Sequence, residues 1–417
     1  MNQQEVNPRP AMGAAAAASI HTLITFLGKG RDNPSTGYRQ ATYEFPDGRR
    51  TTAFFGLSLM EYLQPDRLVI LGTSGSQWDL LVEHVIGGEE EAARRELVEA
   101  VLHASVTQEL LERVTSLMTK TLGRPVTLRL IPYGKDLEEQ KAILATIAAV
   151  VDKGAVSFDL THAFRHLGMV GFLSAFMLER IRRLEVRSLW YGALDMTSNG
   201  LTPVLRLDGL RAIRRWIEAL DGFEATGDYG VFSELLVSDG VPVETARRLQ
   251  AAAFHERTFN LPAAVRKLRK FLPVLSQPLK GASGLFQEQL RKRLAWVEEQ
   301  RLDECQRRLA YQYLRRGDFV RAAIFGWEAL VTRECFERGL NPEDFRDARR
   351  EAIEQLEAEI QEEVHPEWKR RAYWKLKRLR NNLAHGWTPL NGSQQRLLED
   401  PALLTMELEA CFKRLLG

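Results

Sequence analysis

Two hydrophobic periodicities divide this chain. In the first half, short apolar runs alternate with longer stretches of helical spacing. The runs Ile20–Leu27, Arg67–Leu71, Val126–Ile131, Ala155–Leu160 and Glu185–Trp190 are rich in β-branched and aromatic residues, and most end in turn residues. Between them, Phe54–Leu63, Glu89–Leu122, Glu138–Val151 and Ala163–Arg183 repeat apolar residues every three to four positions. Strands alternating with helices predict a parallel sheet, helices on both faces, over residues 19–206. From Leu207 the period is helical throughout. Arg-rich amphipathic segments, interrupted by Pro262, Pro273, Pro278 and Gly281-Ala282-Ser283-Gly284, predict a helical connector over 207–285. Phe286–Arg316, Phe319–Arg338, Arg346–Glu363 and a last basic helix predict an all-α bundle over 286–417. Residues 1–18 read as a flexible tail.

That last basic helix holds the densest candidate chemistry. Leu376, Leu379 and Leu383 form one apolar stripe, whereas Lys377, Asn381 and His385 recur at i, i+4 and i+8 on nearly the opposite side. Gly386 and Pro389 predict the stop, which places His385 in the final turn. An imidazole of near-neutral pKa can take a proton from a 2′-hydroxyl or give one to a leaving 5′-oxygen. Arg380 can hold a phosphate bidentately. Five residues turn an ideal helix by about 140°, so Arg380 and His385 do not share a face. Either Arg380 reaches round, or a second copy of the helix completes the site. The spacing alone is uninformative, because about one Arg five residues before a His is expected by chance in a chain this rich in Arg. Context adds weight: Lys369, Arg370, Arg371, Lys375, Lys377, Arg378, Arg380 and Arg396 face a single acid, Glu367, with Tyr373, Trp374 and Trp387 among them. That mixture suits a polyanion with stackable bases, with Lys377, Arg378 and Trp387 as candidate RNA contacts.

In doubly wound sheets, ligands bind beyond the carboxyl ends of the strands. Donors accumulate there in this chain: Gly28-Lys29-Gly30, the hydroxyls of Thr73-Ser74-Gly75-Ser76, then Lys135, Thr161, His162 and Arg165. The Gly-rich turns offer N–H groups, and helix N-termini favour anions. No Gly-x-Gly-x-x-Gly follows the first strand and no Gly-Lys-Ser/Thr occurs, which disfavours a dinucleotide dehydrogenase and a P-loop NTPase.

Composition narrows the class without naming it. A chain of 417 residues with 45% hydrophobic and 27% charged residues is an ordinary globular chain of about two domains. Its net charge of +2 confines any nucleic-acid site to a local patch. Cys305, Cys335 and Cys411 lack paired spacing and read as thiols of a reducing cytoplasm, with no metal site. The Ala14–Ala18 run follows Glu5 and Arg9 and is soon interrupted by His21, so it does not read as a signal peptide. The longest apolar stretch, Leu167–Leu178, falls short of the ~20 residues that span a bilayer. No membrane association is expected.

Two resemblances sharpen this picture. Arg380-Asn381-Asn382-Leu383-Ala384-His385-Gly386 resembles the Arg-x4-His signature of HEPN ribonuclease domains. Leu71-Gly72-Thr73-Ser74-Gly75-Ser76-Gln77-Trp78-Asp79, together with Asp159-Leu160-Thr161-His162-Ala163-Phe164-Arg165-His166-Leu167, resembles the CARF domains of CRISPR-associated accessory ribonucleases, as does Tyr43-Glu44-Phe45-Pro46-Asp47-Gly48. The usual pattern has Gly where this chain has Ala163. The resemblance implies a Rossmann-like sensor that dimerises and binds cyclic oligoadenylate, with Gln77, Trp78, Asp159, Ala163 and Phe164 joining the donors above as ligand-binding positions. The cyclic tetra-adenylate ring is favoured over the hexa-adenylate. It further implies a homodimer, or a higher oligomer of dimers, that cuts single-stranded RNA without metal in antiviral defence. Arg380 and His385 of both copies would form one site, with Asn381 orienting His385 or the phosphate. A non-enzymatic sensor whose helical part binds nucleic acid or a partner remains the alternative, followed by a nucleotide-modifying enzyme.

Overall fold

The computed structural model describes residues 20–29, 40–162, 164–344, 346–385 and 392–417. The tail over 1–18 and the positions Gly30, Ala163, Gly386, Trp387 and Pro389 lie outside the described residues. The chain divides into two compact units, Met1–Asp208 and Gly209–Gly417.

The first unit is built on eight strands: β1 (His21–Leu27), β2 (Ala41–Phe45), β3 (Gly48–Thr52), β4 (Arg67–Gly72), β5 (Val126–Leu130), β6 (Ala155–Asp159), β7 (Glu185–Gly192) and β8 (Leu201–Arg206). Their order is β3-β2-β8-β7-β6-β1-β4-β5. The five strands anticipated from the apolar runs form the parallel centre, β7-β6-β1-β4-β5. The sheet as a whole is mixed, because β8 pairs antiparallel with β7 and carries the antiparallel β2–β3 hairpin. Those added strands were not read as such because half their residues are polar or charged, and Glu44, Arg49, Thr51 and Arg206 among them face solvent, which breaks the apolar runs.

Six helices cover the centre: α1 (Phe55–Leu63), α2 (Trp78–Ile86), α3 (Glu91–Leu102), α4 (Gln108–Leu122), α5 (Leu137–Val150) and α6 (Arg165–Ile181). Every residue of β1 and β6 is buried, as expected for strands covered on both faces. Leu23 and Leu27 join the core beneath α1 to α4, and Ile24 and Phe26 join the core beneath α5 and α6. The expected helix 89–122 is two. The Thr107 hydroxyl accepts from the Leu110 N–H and so starts α4 afresh. A buried polar ladder crosses the centre, from His21 Nε2 to Ser157 (2.9 Å), on to Ser188 (2.9 Å), which accepts from Trp190 Nε1 at 2.7 Å. This satisfies polar atoms that the sheet would otherwise bury at a cost.

The second unit is helical: α7 (Asp208–Thr226), α8 (Ser233–Ser238), α9 (Val243–Arg257), α10 (Leu261–Phe271), α11 (Ser283–Leu294), α12 (Leu302–Arg315), α13 (Phe319–Glu337), α14 (Ala348–Gln361), α15 (Glu367–His385), α16 (Gly392–Glu399) and α17 (Pro401–Leu415). The stretch 286–316 is broken between α11 and α12 rather than continuous. The segment expected to be a connector shares one core with the rest, since Trp216, Phe232, Leu249 and Leu268 cluster with Leu330, Leu376 and Phe412. The Gly281–Gly284 turn is tied down as well: Ser283 donates to Asp239 from both its N–H and its hydroxyl. At Gly326, a Cβ would lie 2.2 Å from the Phe412 ring, so the glycine is what lets α17 pack on α13. Arg333 of α13 donates to the Leu416 carbonyl (2.7 Å), to Asp303 (3.2 Å) and to Glu304 (2.8 Å), closing the end of α17 against α12.

Candidate functional site

Two places carry chemistry, one in each unit. In the sheet unit, the order β5-β4-β1-β6-β7 has its switch point between β1 and β6, where a doubly wound sheet opens a crevice at its carboxyl ends. The loops after β1, β4 and β6 meet there. Much of their polarity is turned inward. The Ser76 hydroxyl donates to the Leu27 carbonyl (2.7 Å) and accepts from the Thr73 N–H (2.9 Å), and it lies 3.2 Å from the Thr73 hydroxyl. Trp78 is fully buried and donates from Nε1 to the Thr73 carbonyl (2.9 Å), and Gln77 N–H reaches Gly28 O at 3.2 Å. Thr73, Ser76 and Trp78, expected to touch ligand, therefore build the loop instead. Ser76→Ala would orphan the buried Thr73 N–H and Leu27 C=O. We expect it to lower the stability of this unit by about 1–3 kcal/mol, checked by urea unfolding against Ser74→Ala, whose only described bond is a long 3.4 Å contact to Tyr133.

Asp159 is likewise a scaffold residue. It is wholly buried, accepts from the Thr25 hydroxyl (2.6 Å) and the Thr161 N–H (2.8 Å), and burial pushes its pKa up to about 6 against those bonds. The Thr161 hydroxyl accepts from the Gly192 N–H at 2.8 Å, fixing the loop to β7. The His162 ring is enclosed, although the residue keeps some surface. Its Nε2 accepts from the Phe55 N–H at 3.3 Å, and burial lowers its pKa to about 4, so it is a neutral, structural imidazole at pH 7.

What faces outward is an aromatic and basic rim. Phe164 stacks on His166, with ring centres 5.9 Å apart, and lies 6.0 Å from Tyr133. Lys135 Nζ sits 5.1 Å over the Tyr133 ring. Lys29 is exposed, as is Arg165 at the head of α6. A Cβ on Gly75 would lie 2.7 Å from the Tyr133 hydroxyl, so any larger residue there would displace the Tyr133 ring. Tyr133 and His166 were missed as site residues, although an aromatic immediately after a strand was the available signal. The helices behind the rim differ in their caps. Asp136 caps α5 by accepting from the Glu139 N–H, whereas no side chain caps α2 or α6. Two uncapped N-termini beside Lys29, Lys135 and Arg165 make an environment suited to anionic groups.

In the helical unit, α15 runs through to His385, which is exposed at its end. Arg380 is turned the other way: its guanidinium lies 5.0 Å from the Trp327 ring of α13 and donates to Asn381 Oδ1 at 2.8 Å. Asn381 thus holds Arg380. Among the described residues, no hydrogen bond joins Arg380 to His385 within one chain, in line with the 140° that separates them. The local surplus of positive charge is largely cancelled by ion pairs, three of them to acids on other helices. Lys369 pairs with Glu334 (3.7 Å), Arg370 with Glu363 (2.8 Å), Lys375 with Glu407 (2.7 Å), Arg371 with Glu367 and Lys377 with Glu357. Lys377 is therefore removed from the RNA-contact set. Arg378 stays exposed. Among the described residues, no group of three His, Cys, Asp or Glu side chains could hold a metal ion, and no helix is long and apolar enough to cross a membrane.

A doubly wound sheet with donor-rich strand ends, followed by an all-helical unit, defines a two-unit protein of the α/β plus all-α class. Residues 22–193 match the family model described as "CRISPR system endoribonuclease Csx1, CARF domain". That match falls on the sheet unit. The chain is 24% identical over 284 residues to the CRISPR-associated protein MJ1674 of Methanocaldococcus jannaschii; the match covers 62% of this chain and 44% of that relative, so less than half of the relative's length is represented. Among solved structures, Enterococcus italicus Csm6 bound to cyclic hexa-2'-fluoro-hexa-dAMP aligns over 95% of both chains at 11% identity, with a TM-score of 0.36.

Proposed function

We propose that this chain is an endoribonuclease switched on by a cyclic oligoadenylate. The observation that carries the reading is the CARF match over residues 22–193, which falls on the sheet whose strand-end rim offers cations, aromatic rings and uncapped helix N-termini. A cyclic oligoadenylate presents phosphates to the cations and adenine faces to Tyr133, Phe164 and His166. The tetra-adenylate ring is the expected activator.

The helical unit acts as a HEPN domain in this reading, and two copies of the chain supply one site. An imidazole of His385 removes the 2′-hydroxyl proton; O2′ attacks phosphorus, the P–O5′ bond breaks, and a second imidazole protonates the departing 5′-oxygen. The products are a 2′,3′-cyclic phosphate and a 5′-hydroxyl, and the proton inventory is unchanged. Arg380, steadied by Asn381 and Trp327, neutralises charge on the phosphoryl oxygens. Imidazole proton transfer requires no divalent ion. Incubating the full chain with labelled single-stranded RNA, with and without cyclic tetra- and hexa-adenylate, tests this. Cleavage that depends on a ring is expected, and absence of cleavage with either ring would sink the proposal. The neutralised surplus on α15 favours one other reading, a sensor whose helical unit binds a partner, which predicts ring binding without cleavage.

A further inference from the structure

An open groove of about 860 Å³ runs between α15 and α17. Trp374, Lys375, Arg378, Glu407, Cys411 and Arg414 are among its lining. Both signs of charge occur on its walls, and most are mutually satisfied: Arg370 with Glu363, Arg371 with Glu367 and Lys375 with Glu407. Two cations are not satisfied in this way. Among the described residues, Arg378 of α15 donates only to the Trp374 carbonyl (3.2 Å), and Arg414 of α17 has no ion pair. Both are exposed, and they stand on opposite walls.

The helix geometry links this groove to His385. On α15, Arg371, Trp374, Arg378 and His385 occur at i, i+3, i+7 and i+14, which is one face of a 3.6-residue helix. Lys377 and Arg380 lie off that face, committed to Glu357 and Trp327. Arg378 and His385 are seven residues apart, about 10 Å along the axis. A cation already locked to a carboxylate gives up little counterion when a phosphate arrives, whereas Arg378 and Arg414 can each exchange a counterion for one. Half-buried Trp374 also lines the groove and, with Lys377 Nζ 5.2 Å over its ring, offers its remaining ring surface to a base.

We infer that the α15–α17 groove is the track along which single-stranded RNA reaches His385, with Arg378 and Arg414 holding the backbone from either wall and Trp374 receiving a base. This rests on the reading of the helical unit as a ribonuclease; it keeps Arg378 from the candidate RNA contacts, sets Lys377 aside and adds Trp374 and Arg414.

The test uses the full chain carrying His385→Ala, so that labelled single-stranded RNA can be titrated by fluorescence anisotropy at several salt concentrations with activator present. Arg378→Ala and Arg414→Ala should each weaken binding and flatten the plot of log affinity against log salt by about 0.7. Trp374→Ala should weaken binding roughly 5- to 100-fold, and Lys292→Ala on α11 should change nothing. Both arginine positions are exposed, so those variants remain informative if Trp374→Ala does not fold. Unchanged affinity and slope in both arginine variants of a chain that cuts RNA overturns the track and leaves the ribonuclease reading standing. Binding that depends on both arginines in a chain that never cuts overturns the ribonuclease reading alone. A change of oligomeric state in Arg378→Glu without loss of RNA affinity overturns the track and gives the groove to a second copy of the chain.

Discussion

His385→Ala is expected to reduce ring-activated RNA cleavage by roughly 10²- to 10⁴-fold, the contribution of a positioned proton-transfer group. The size of the effect follows from where the residue sits. His385 is the last residue of α15, exposed and outside the leucine stripe that buries Leu376 and Leu379 in the core. Its removal exposes no cavity and orphans no described partner, so unfolding midpoint and ring affinity should match those of the unaltered chain. Water cannot replace a fixed imidazole, because the base must already lie against the 2′-hydroxyl when the phosphorus is attacked. Single-turnover cleavage measured beside ring binding by calorimetry separates the effects. Cleavage within a few-fold of the unaltered rate in a folded, ring-binding preparation would refute the assignment.

The second large effect is a pH dependence of stability seated in the helical unit. Glu256 of α9 is buried, and its Oε1 accepts from the Tyr313 hydroxyl at 2.5 Å. Burial pushes its pKa up to about 7, against the pull of the Tyr313 bond and the charges of Arg316 and Arg321. A carboxyl whose folded pKa is raised binds its proton more tightly in the folded state than in the unfolded one. Its contribution is fully present below the unfolded value, about 4.5, and is lost as pH rises through the folded value, about 7. Across that window the loss amounts to about 3 kcal/mol. Glu256→Gln keeps an acceptor for Tyr313 and cannot ionise. Between pH 4.5 and 8 the variant's urea midpoint for this unit should therefore fall much less than that of the unaltered chain. Parallel pH profiles for the two proteins would show that Glu256 binds its proton equally in the folded and unfolded states, so that folding does not raise its pKa.

The parallel centre of the sheet was legible because its strands carry their signal locally. Runs such as Leu23–Leu27 and Leu68–Leu71 carry apolar residues on both faces, as only covered strands can. The β2–β3 hairpin and β8 were not legible, since Arg49, Arg50 and Pro203 obscure any alternation there. The helical period of α13, α14 and α15 set those helices to within a few residues. Nothing in it showed that 207–285 shares the core of the helices after it, because that depends on which apolar faces meet across long separations.

Of the candidate sites, the sequence by itself determined which residues could do the work: an Arg-Asn-x-x-x-His run at a helix end, and donor-rich turns after β1, β4, β5 and β6. Residue type and spacing are local properties, and local geometry follows from them. Only the tertiary structure decided which of those residues are available. It buried Trp78 and Asp159, turned the Ser76 hydroxyl toward Leu27 and held His162 neutral, because strand ends packed between two layers must satisfy their polar atoms internally. It paired Lys369, Lys375 and Lys377 with Glu334, Glu407 and Glu357, which lie on other helices, and so reduced a run of positive charge to a few open guanidinium groups. A charge count along the chain sees neighbours in sequence, but the field at a surface is set by neighbours in space, which is why Arg378 and Arg414, thirty-six positions apart, came to face one groove.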